Sequence, residues 1–160
     1  MGAGLCTKPV GGITAVAVVP AGAAACGSPA DIAAAAVELP LVEGLSSYDE
    51  TVDSSDGIVR IEHRLTIAVP AEFAASEIEM PTLRRWASAG TFARVDTLAG
   101  ESLAVGWSER FGSEQPLRLT GIEWSTGKDA HTRPVAILTL RSIDTSPAAK
   151  IQNSNPQNSR

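Results

Sequence analysis

Residues 58–69 read Ile-Val-Arg-Ile-Glu-His-Arg-Leu-Thr-Ile-Ala-Val, and this stretch decides the fold. Every second position carries an apolar residue or a histidine, namely Val59, Ile61, His63, Leu65, Ile67 and Val69. Polar residues alternate with them at Arg60, Glu62, Arg64 and Thr66. Because successive side chains of a β-strand point to opposite faces, this period of two predicts a long strand with one buried face.

Other segments also have the composition of strands, being rich in β-branched and aromatic residues between Gly, Pro and polar residues. They are Ile13 to Val19, Phe92 to Thr97, Ser102 to Trp107, Pro116 to Trp124 and Val135 to Ile143. The last four predict an antiparallel meander, with Gly100 at the positive-φ position of its first hairpin. The expected fold class is therefore mainly β, an antiparallel β-sandwich or barrel.

One short central helix is predicted after Pro81. Leu83, Trp86 and Ala87 stand at helical spacing, with proline near the start and Gly90 past the end. The segment from Asp31 to Glu38 fits either a short helix capped by Asp31 or a weak strand. The polar, acidic segment from 44 to 56 fits either a surface loop or an exposed edge pair.

The length of 160 residues fits a single domain. We expect a flexible N-terminal segment at 1–12, one β-rich domain at 13–145 and a disordered tail at 146–160, because Ser, Asn, Gln and Pro dominate the last residues. Only 4% of the residues are aromatic, so the core must be built on Val, Ile and Leu with a few large anchors. Trp86, Trp107 and Trp124 are the expected anchors.

The formal net charge of −5 argues against direct, sequence-specific nucleic-acid binding, since no Lys/Arg run is longer than Arg84-Arg85. The longest apolar stretch, from Gly11 to Cys26, is interrupted by Pro20 and falls short of a membrane span. It also lacks the order of regions in a signal peptide. Cys6 and Cys26 lack metal-ligand spacing and are interpreted as free thiols. We therefore expect a soluble protein.

No catalytic or metal-binding constellation is recognisable, and no cofactor is expected. His63 lies on the apolar face of the long strand and is interpreted as a core histidine rather than a catalytic one. His131 lies in a charged loop and is interpreted as part of a solvated turn. The acidic residues of segment 44–56 lack the ligand spacing of a calcium loop. Gly121 and Gly127-Lys128 fail the phosphate-loop pattern in spacing and context.

Arg84, Arg85 and Trp86 form a candidate interaction patch, because arginine and tryptophan are enriched at interface hot spots. A simpler alternative is that Trp86 packs inward while the two arginines point to solvent. The sequence leaves both interpretations open.

Several short motifs of the second half resemble a group of small structural proteins encoded in the morphogenesis regions of Bacteroidetes-type phages and prophages. The motifs are Ile61-Glu-His-Arg-Leu, Thr82-Leu-Arg-Arg-Trp, Ala93-Arg-Val-Asp, Leu103-Ala-Val-Gly, Pro116-Leu-Arg-Leu, Ser125-Thr-Gly-Lys and Ile137-Leu-Thr-Leu. The resemblance implies a tail or head–tail protein of the virion, present in the host cytoplasm during assembly. It also implies homo-oligomeric rings that contact other virion proteins.

Three function classes are therefore carried forward. The first is a non-enzymatic virion structural protein that forms rings. The second is a small-ligand or carbohydrate-binding β-barrel, which should present exposed aromatic residues at one mouth. The third is a minor hydrolase, which should show a nucleophile beside a base.

Overall fold

The computed structural model describes residues 12–21, 27–108, 112, 115–126 and 133–151. The strands are β1 (Ile13–Pro20), β2 (Val37–Leu39), β3 (Ser47–Asp53), β4 (Arg60–Pro70), β5 (Thr91–Thr97), β6 (Ser102–Val105), β7 (Arg118–Ser125), β8 (Val135–Asp144) and β9 (Ala149–Lys150). The helices are α1 (Pro29–Ala35), α2 (Ala71–Glu77) and α3 (Met80–Ser88).

The strands form two antiparallel sheets that pack as a sandwich. The five-stranded sheet has the order β2-β1-β5-β6-β9, and the four-stranded sheet has the order β3-β4-β8-β7. Both sheets have free edges, so the fold is not a closed barrel. The predicted mainly β fold is confirmed, and of its two alternatives the sandwich is the one that forms.

Strand β4 behaves as its alternation predicts. Its inward residues Ile61, Leu65 and Ile67 are buried, and it pairs with β8 from Ile61–Asp144 to Pro70–Val135. The inward face of β8 is equally apolar, and one core cluster contains buried residues of both sheets. The inward faces of β4 and β8 therefore form the part of the core that lies on the four-stranded sheet.

The predicted helix is present as α3. The expectation of a single helix is wrong, because α1 and α2 are present as well. The ambiguous segment at 31–38 begins as helix α1, whose N-cap is Ser28 rather than Asp31: the Asp31 N–H donates to Ser28 Oγ at 3.2 Å. Helix α2 was not predicted. It starts directly at the end of β4, and its N-cap Pro70 makes no side-chain capping bond, so the usual start signal is missing.

The predicted four-strand meander is wrong. β5 pairs with β6 in one sheet, whereas β7 pairs with β8 in the other. The chain changes sheet after β6, where Gly106 has a φ of +95° and the buried Leu117 forms an isolated bridge with Thr91. The crossing thus runs past the buried Leu117 and its contact with Thr91, and the local pattern of strands and turns does not indicate this contact.

The two segments whose structure the sequence left open are parts of the sandwich. The segment at 44–56 contains β3, an edge strand paired with β4 along all seven of its residues. Helix α1 buries Ile32 completely. At the other end of the chain, β9 pairs with β6 and Ile151 N donates to Ser102 O, so residues 149–151 belong to the sheet rather than to a tail. Residues 1–11 and 152–160 lie outside the described part.

The three tryptophans differ in their roles. Trp86 is 5% exposed and belongs to the main core. Trp107 is partly buried against a smaller cluster. Trp124 is half exposed because it lies near the end of edge strand β7, so the expectation that it anchors the core is wrong.

Replacing Leu65 by Asp should unfold the domain, whereas replacing its neighbour Thr66 by Asp should be tolerated. Leu65 is fully buried and Thr66 faces the other side of the sheet. An unpaired carboxylate in the core costs several kcal/mol, roughly the whole stability of a marginal domain. Thermal melts followed by circular dichroism measure the difference. Equal melting temperatures would contradict the face assignment.

Gly90 and Gly100 offer a second matched pair, because their φ angles are nearly equal at +88° and +86°. A Cβ on Gly90 would lie 2.7 Å from Leu117 O and 2.7 Å from Pro116 Cγ, whereas one on Gly100 meets nothing within 4 Å. Gly100→Ala should lower the free energy of unfolding by about 1 kcal/mol, from backbone strain alone. Gly90→Ala should lower the free energy of unfolding by at least about 1 kcal/mol more than Gly100→Ala, because the added methyl group is overpacked. Denaturant unfolding tests the ranking, which equal losses would refute.

Candidate functional site

Three buried polar side chains lie at one end of the sandwich, where the chain passes from β8 to β9. They are His63 on β4, Asp144 at the end of β8 and Ser108 after β6. Each is at most 5% exposed. Buried polar groups are costly unless they are hydrogen-bonded. Their hydrogen-bond partners therefore show which segments of the chain the cluster holds together.

His63 is hydrogen-bonded at both ring nitrogens. Nε2 lies 2.9 Å from Ser146 O, and Nδ1 lies 3.0 Å from the hydroxyl oxygen of Tyr48. The same hydroxyl lies 2.7 Å from Glu50 Oε2, which also accepts the backbone N–H of Ala148 at 2.8 Å. A continuous line of hydrogen bonds therefore runs from β3 through β4 to the segment that follows β8.

The chemistry of the groups gives the direction of two bonds in this line. The Tyr48 hydroxyl donates to Glu50 Oε2. A carbonyl oxygen only accepts, so Nε2 of His63 donates to Ser146 O.

Asp144 anchors the same segment from the other side. Its Oδ1 accepts the Ser108 hydroxyl at 2.9 Å and the Thr145 N–H at 2.6 Å. Asp144 and His63 together therefore fix the connection at 145–148 and, through it, the position of β9. The residues involved are far apart in the sequence, and no local spacing indicated their association.

The arrangement of these groups differs from that of a serine hydrolase. Ser108 donates to Asp144 rather than to His63, and it is 2% exposed. Catalysis by that mechanism requires an accessible hydroxyl bonded to an imidazole nitrogen. His63 is a buried, hydrogen-bonded histidine, as its place on the apolar face of the strand predicts. His131 lies outside the described residues, so its assignment to a solvated turn stays a prediction.

The carboxylates at the end of β3 and in the turn that follows it accept hydrogen bonds from the backbone of that turn. Asp53 Oδ1 accepts the Ser55 N–H, and Asp56 Oδ1 accepts the Ile58 N–H. Asp56 Oδ2 also accepts a hydrogen bond from Arg60 at 2.7 Å, which holds the pKa of Asp56 below its usual value. Within the described ranges, no group of three or more His, Cys, Asp or Glu side chains is placed to bind a metal ion.

The three residues of the predicted interaction patch lie on different faces of helix α3. Arg84 and Arg85 are exposed on α3, whereas Trp86 is buried in the core. The structure thus places the three residues as the simpler alternative predicts. The same helix packs against β7, and Arg118 Nε donates to Ser88 O at 3.3 Å. A third arginine therefore lies close to the end of α3.

Charged residues of opposite sign mark the two sides of the four-stranded sheet. We call the side of β3 the acidic edge; its exposed carboxylates are Asp49, Asp53 and Asp56. We call the side of β7 and α3 the basic edge; its exposed guanidinium groups are Arg84, Arg85 and Arg118. The carboxylates of the acidic edge lie beside Arg60 and Arg64 of β4, and Glu123 is exposed on β7 at the basic edge.

Comparison with known proteins found no matching family model, no matching curated protein and no matching solved structure. Among the described helices, none has the length and apolar character needed to cross a membrane. Function must therefore be inferred from the geometry of the chain and the character of its surfaces.

Tyr48 is the only tyrosine of the chain, so tyrosinate absorbance reports on it alone. Burial, followed by the nearby charge of Glu50, raises the pKa of Tyr48 far above its ordinary value of about 10. A raised pKa means that this stabilisation is complete below about pH 10 and is lost as the pH rises further. We expect tyrosinate absorbance to appear only together with unfolding, measured by circular dichroism in the same titration.

The denatured protein provides the control for this titration, because its Tyr48 should ionise near pH 10. A smooth ionisation near pH 10 in the folded protein, with unchanged circular dichroism, would show that the hydroxyl is not buried in the line of hydrogen bonds.

Proposed function

We propose that this protein is a non-enzymatic structural subunit of a virion, a tail or head–tail component that assembles into homo-oligomeric rings. The observation that supports the proposal is the pair of complementary edges on the four-stranded sheet. The acidic edge of one copy fits the basic edge of the next. The motif resemblance of the second half supplies the virion setting, the other virion proteins as partners, and the host cytoplasm as the place of assembly.

The position of the two edges favours a repeating contact. A surface that binds a different surface of the same chain forms a head-to-tail interface, which produces a ring when the rotation closes. The edges lie at opposite ends of the strand order β3-β4-β8-β7, so both can be occupied at once. Arg84 and Arg85, singled out by the sequence, fall on one of them.

Charge alone would give a weak contact. Exposed ion pairs contribute about 0–1 kcal/mol each and are screened by salt. Apolar side chains accompany the charges on each side: Val52 on β3 is 51% exposed, and Met80 at the start of α3 is 57% exposed. The expected interface is therefore concentration-dependent and sensitive to ionic strength.

The ligand-binding alternative has less support from the geometry. A barrel binder holds its ligand in the mouth of a closed barrel. Here the space between the sheets is filled by fully buried side chains such as Leu65, Ile67, Leu138 and Leu140.

Charge reversal on each edge tests the assembly. One variant combines Asp49→Lys with Asp53→Lys, and a second combines Arg84→Glu with Arg85→Glu. Each variant alone should remain monomeric, because two edges of like charge then face each other. An equimolar mixture should assemble again, since both contacts become complementary, and this recovery also shows that both variants are folded. Light scattering coupled to size exclusion gives the mass, and negative-stain microscopy gives the shape.

Arg133→Glu is the control, because Arg133 is exposed and lies on neither edge. Genes for terminase, portal and tape-measure proteins beside this gene would support the virion setting. A wild-type protein that stays strictly monomeric at high concentration and low salt, encoded far from such genes, would overturn the proposal.

A further inference from the structure

Three arginines stand side by side on the outer face of the four-stranded sheet. Arg64 on β4 is the cross-strand partner of Arg141 on β8, and Arg141 is the partner of Arg118 on β7. Directly opposite residues of paired strands point to the same face. Neighbouring strands lie about 4.8 Å apart, so the three side chains form a line across the sheet. We call this line the arginine row.

The charges of the arginine row are partly balanced, because Asp49 on β3 is the cross-strand partner of Arg64 and stands on the same face at the end of the row. Like charges placed directly opposite each other destabilise a sheet. Glu62 contacts both Arg64, at 3.2 Å, and Arg141. Arg118 donates to the backbone oxygen of Ser88. One carboxylate therefore contacts two of the three guanidinium groups, and Nε of Arg141 has no hydrogen-bond acceptor among the described residues.

Hydroxyl groups extend this surface along the strands. Ser47, Thr66 and Thr139 are cross-strand partners one row further on, and they share the outer face with the arginines. The side chains of Arg64 and Arg141 are 48% and 41% exposed. A ligand on this face would therefore meet guanidinium groups in one row and hydroxyl groups in the next.

We propose that the arginine row binds a polyphosphate oxyanion, a ligand with several phosphate groups in a chain. The planar guanidinium group donates two parallel hydrogen bonds that match a phosphate. A line of such groups matches successive phosphates, while the hydroxyls donate to the remaining oxygens. The site goes beyond the proposed assembly and does not rest on it. Arg64 and Arg141 lie on the two central strands and belong to neither edge, and Arg118 is the member of the row that also belongs to the basic edge.

Titration calorimetry of the full chain with inorganic triphosphate at low salt tests the site. We expect saturable binding of one triphosphate per chain. Arg141→Gln and Arg64→Gln should each weaken it by about tenfold, as expected for loss of a charge-assisted hydrogen bond. Arg60→Gln is the matched control. Arg60 lies on the same strand and face, its side chain is 43% exposed, and it pairs with Asp56 outside the row.

A second titration with a nucleoside triphosphate identifies the source of the phosphates. Equal affinity for both ligands assigns the site to a free polyphosphate, and tighter nucleotide binding assigns it to a phosphate ester. Heat without saturation, or an equal loss of affinity in Arg60→Gln, would overturn the proposal and show only general attraction to positive charge. Thermal melts of the variants verify that they are folded.

Discussion

The pairing of β4 with β8 is the interaction on which the rest of the structure depends. These two strands are the central pair of the four-stranded sheet, and their inward faces bury leucine and isoleucine against the five-stranded sheet. Every other element is placed relative to them: β3 and β7 pair along their outer sides, and α2 starts where β4 ends. A single register therefore fixes both the core and the outer rows of charged and hydroxyl side chains, because shifting it by one residue would exchange the two faces.

His63 and Asp144 are buried at one end of the sandwich, where hydrogen bonds join the strands to the segment that follows β8. The hydrogen bonds of Tyr48, Glu50 and His63 bring the edge strand, a central strand and the segment after β8 into one unit. A buried polar network of this kind specifies one arrangement, since any displacement leaves costly unpaired groups. The short strand β9 follows directly on the segment held by this network and pairs with β6 over two residues.

The sequence allowed prediction of what depends on local periodicity. The alternation along 58–69 predicted β4 and its buried face, and the proline and glycine around Leu83 and Trp86 predicted α3. The change of sheet after β6 was missed because it depends on Leu117 being buried beside Thr91, a tertiary contact. The partners of His63 and the arginine row were missed for the same reason. Arg64, Arg118 and Arg141 are isolated in the sequence, and only the strand order places them together.

The orientation of the arginine row relative to the two edges has a consequence for an assembled particle. Edges lie in the plane of a sheet, whereas the row lies on its face. If copies join through their edges as proposed, the four-stranded sheets would follow one another around the ring with their outer faces turned to the same side. The arginines would then repeat around that side, separated by the carboxylates of the acidic edge. A chain-like anion long enough to reach from one copy to the next would be held at several points, and avidity would make its retention stronger than the affinity of a single subunit.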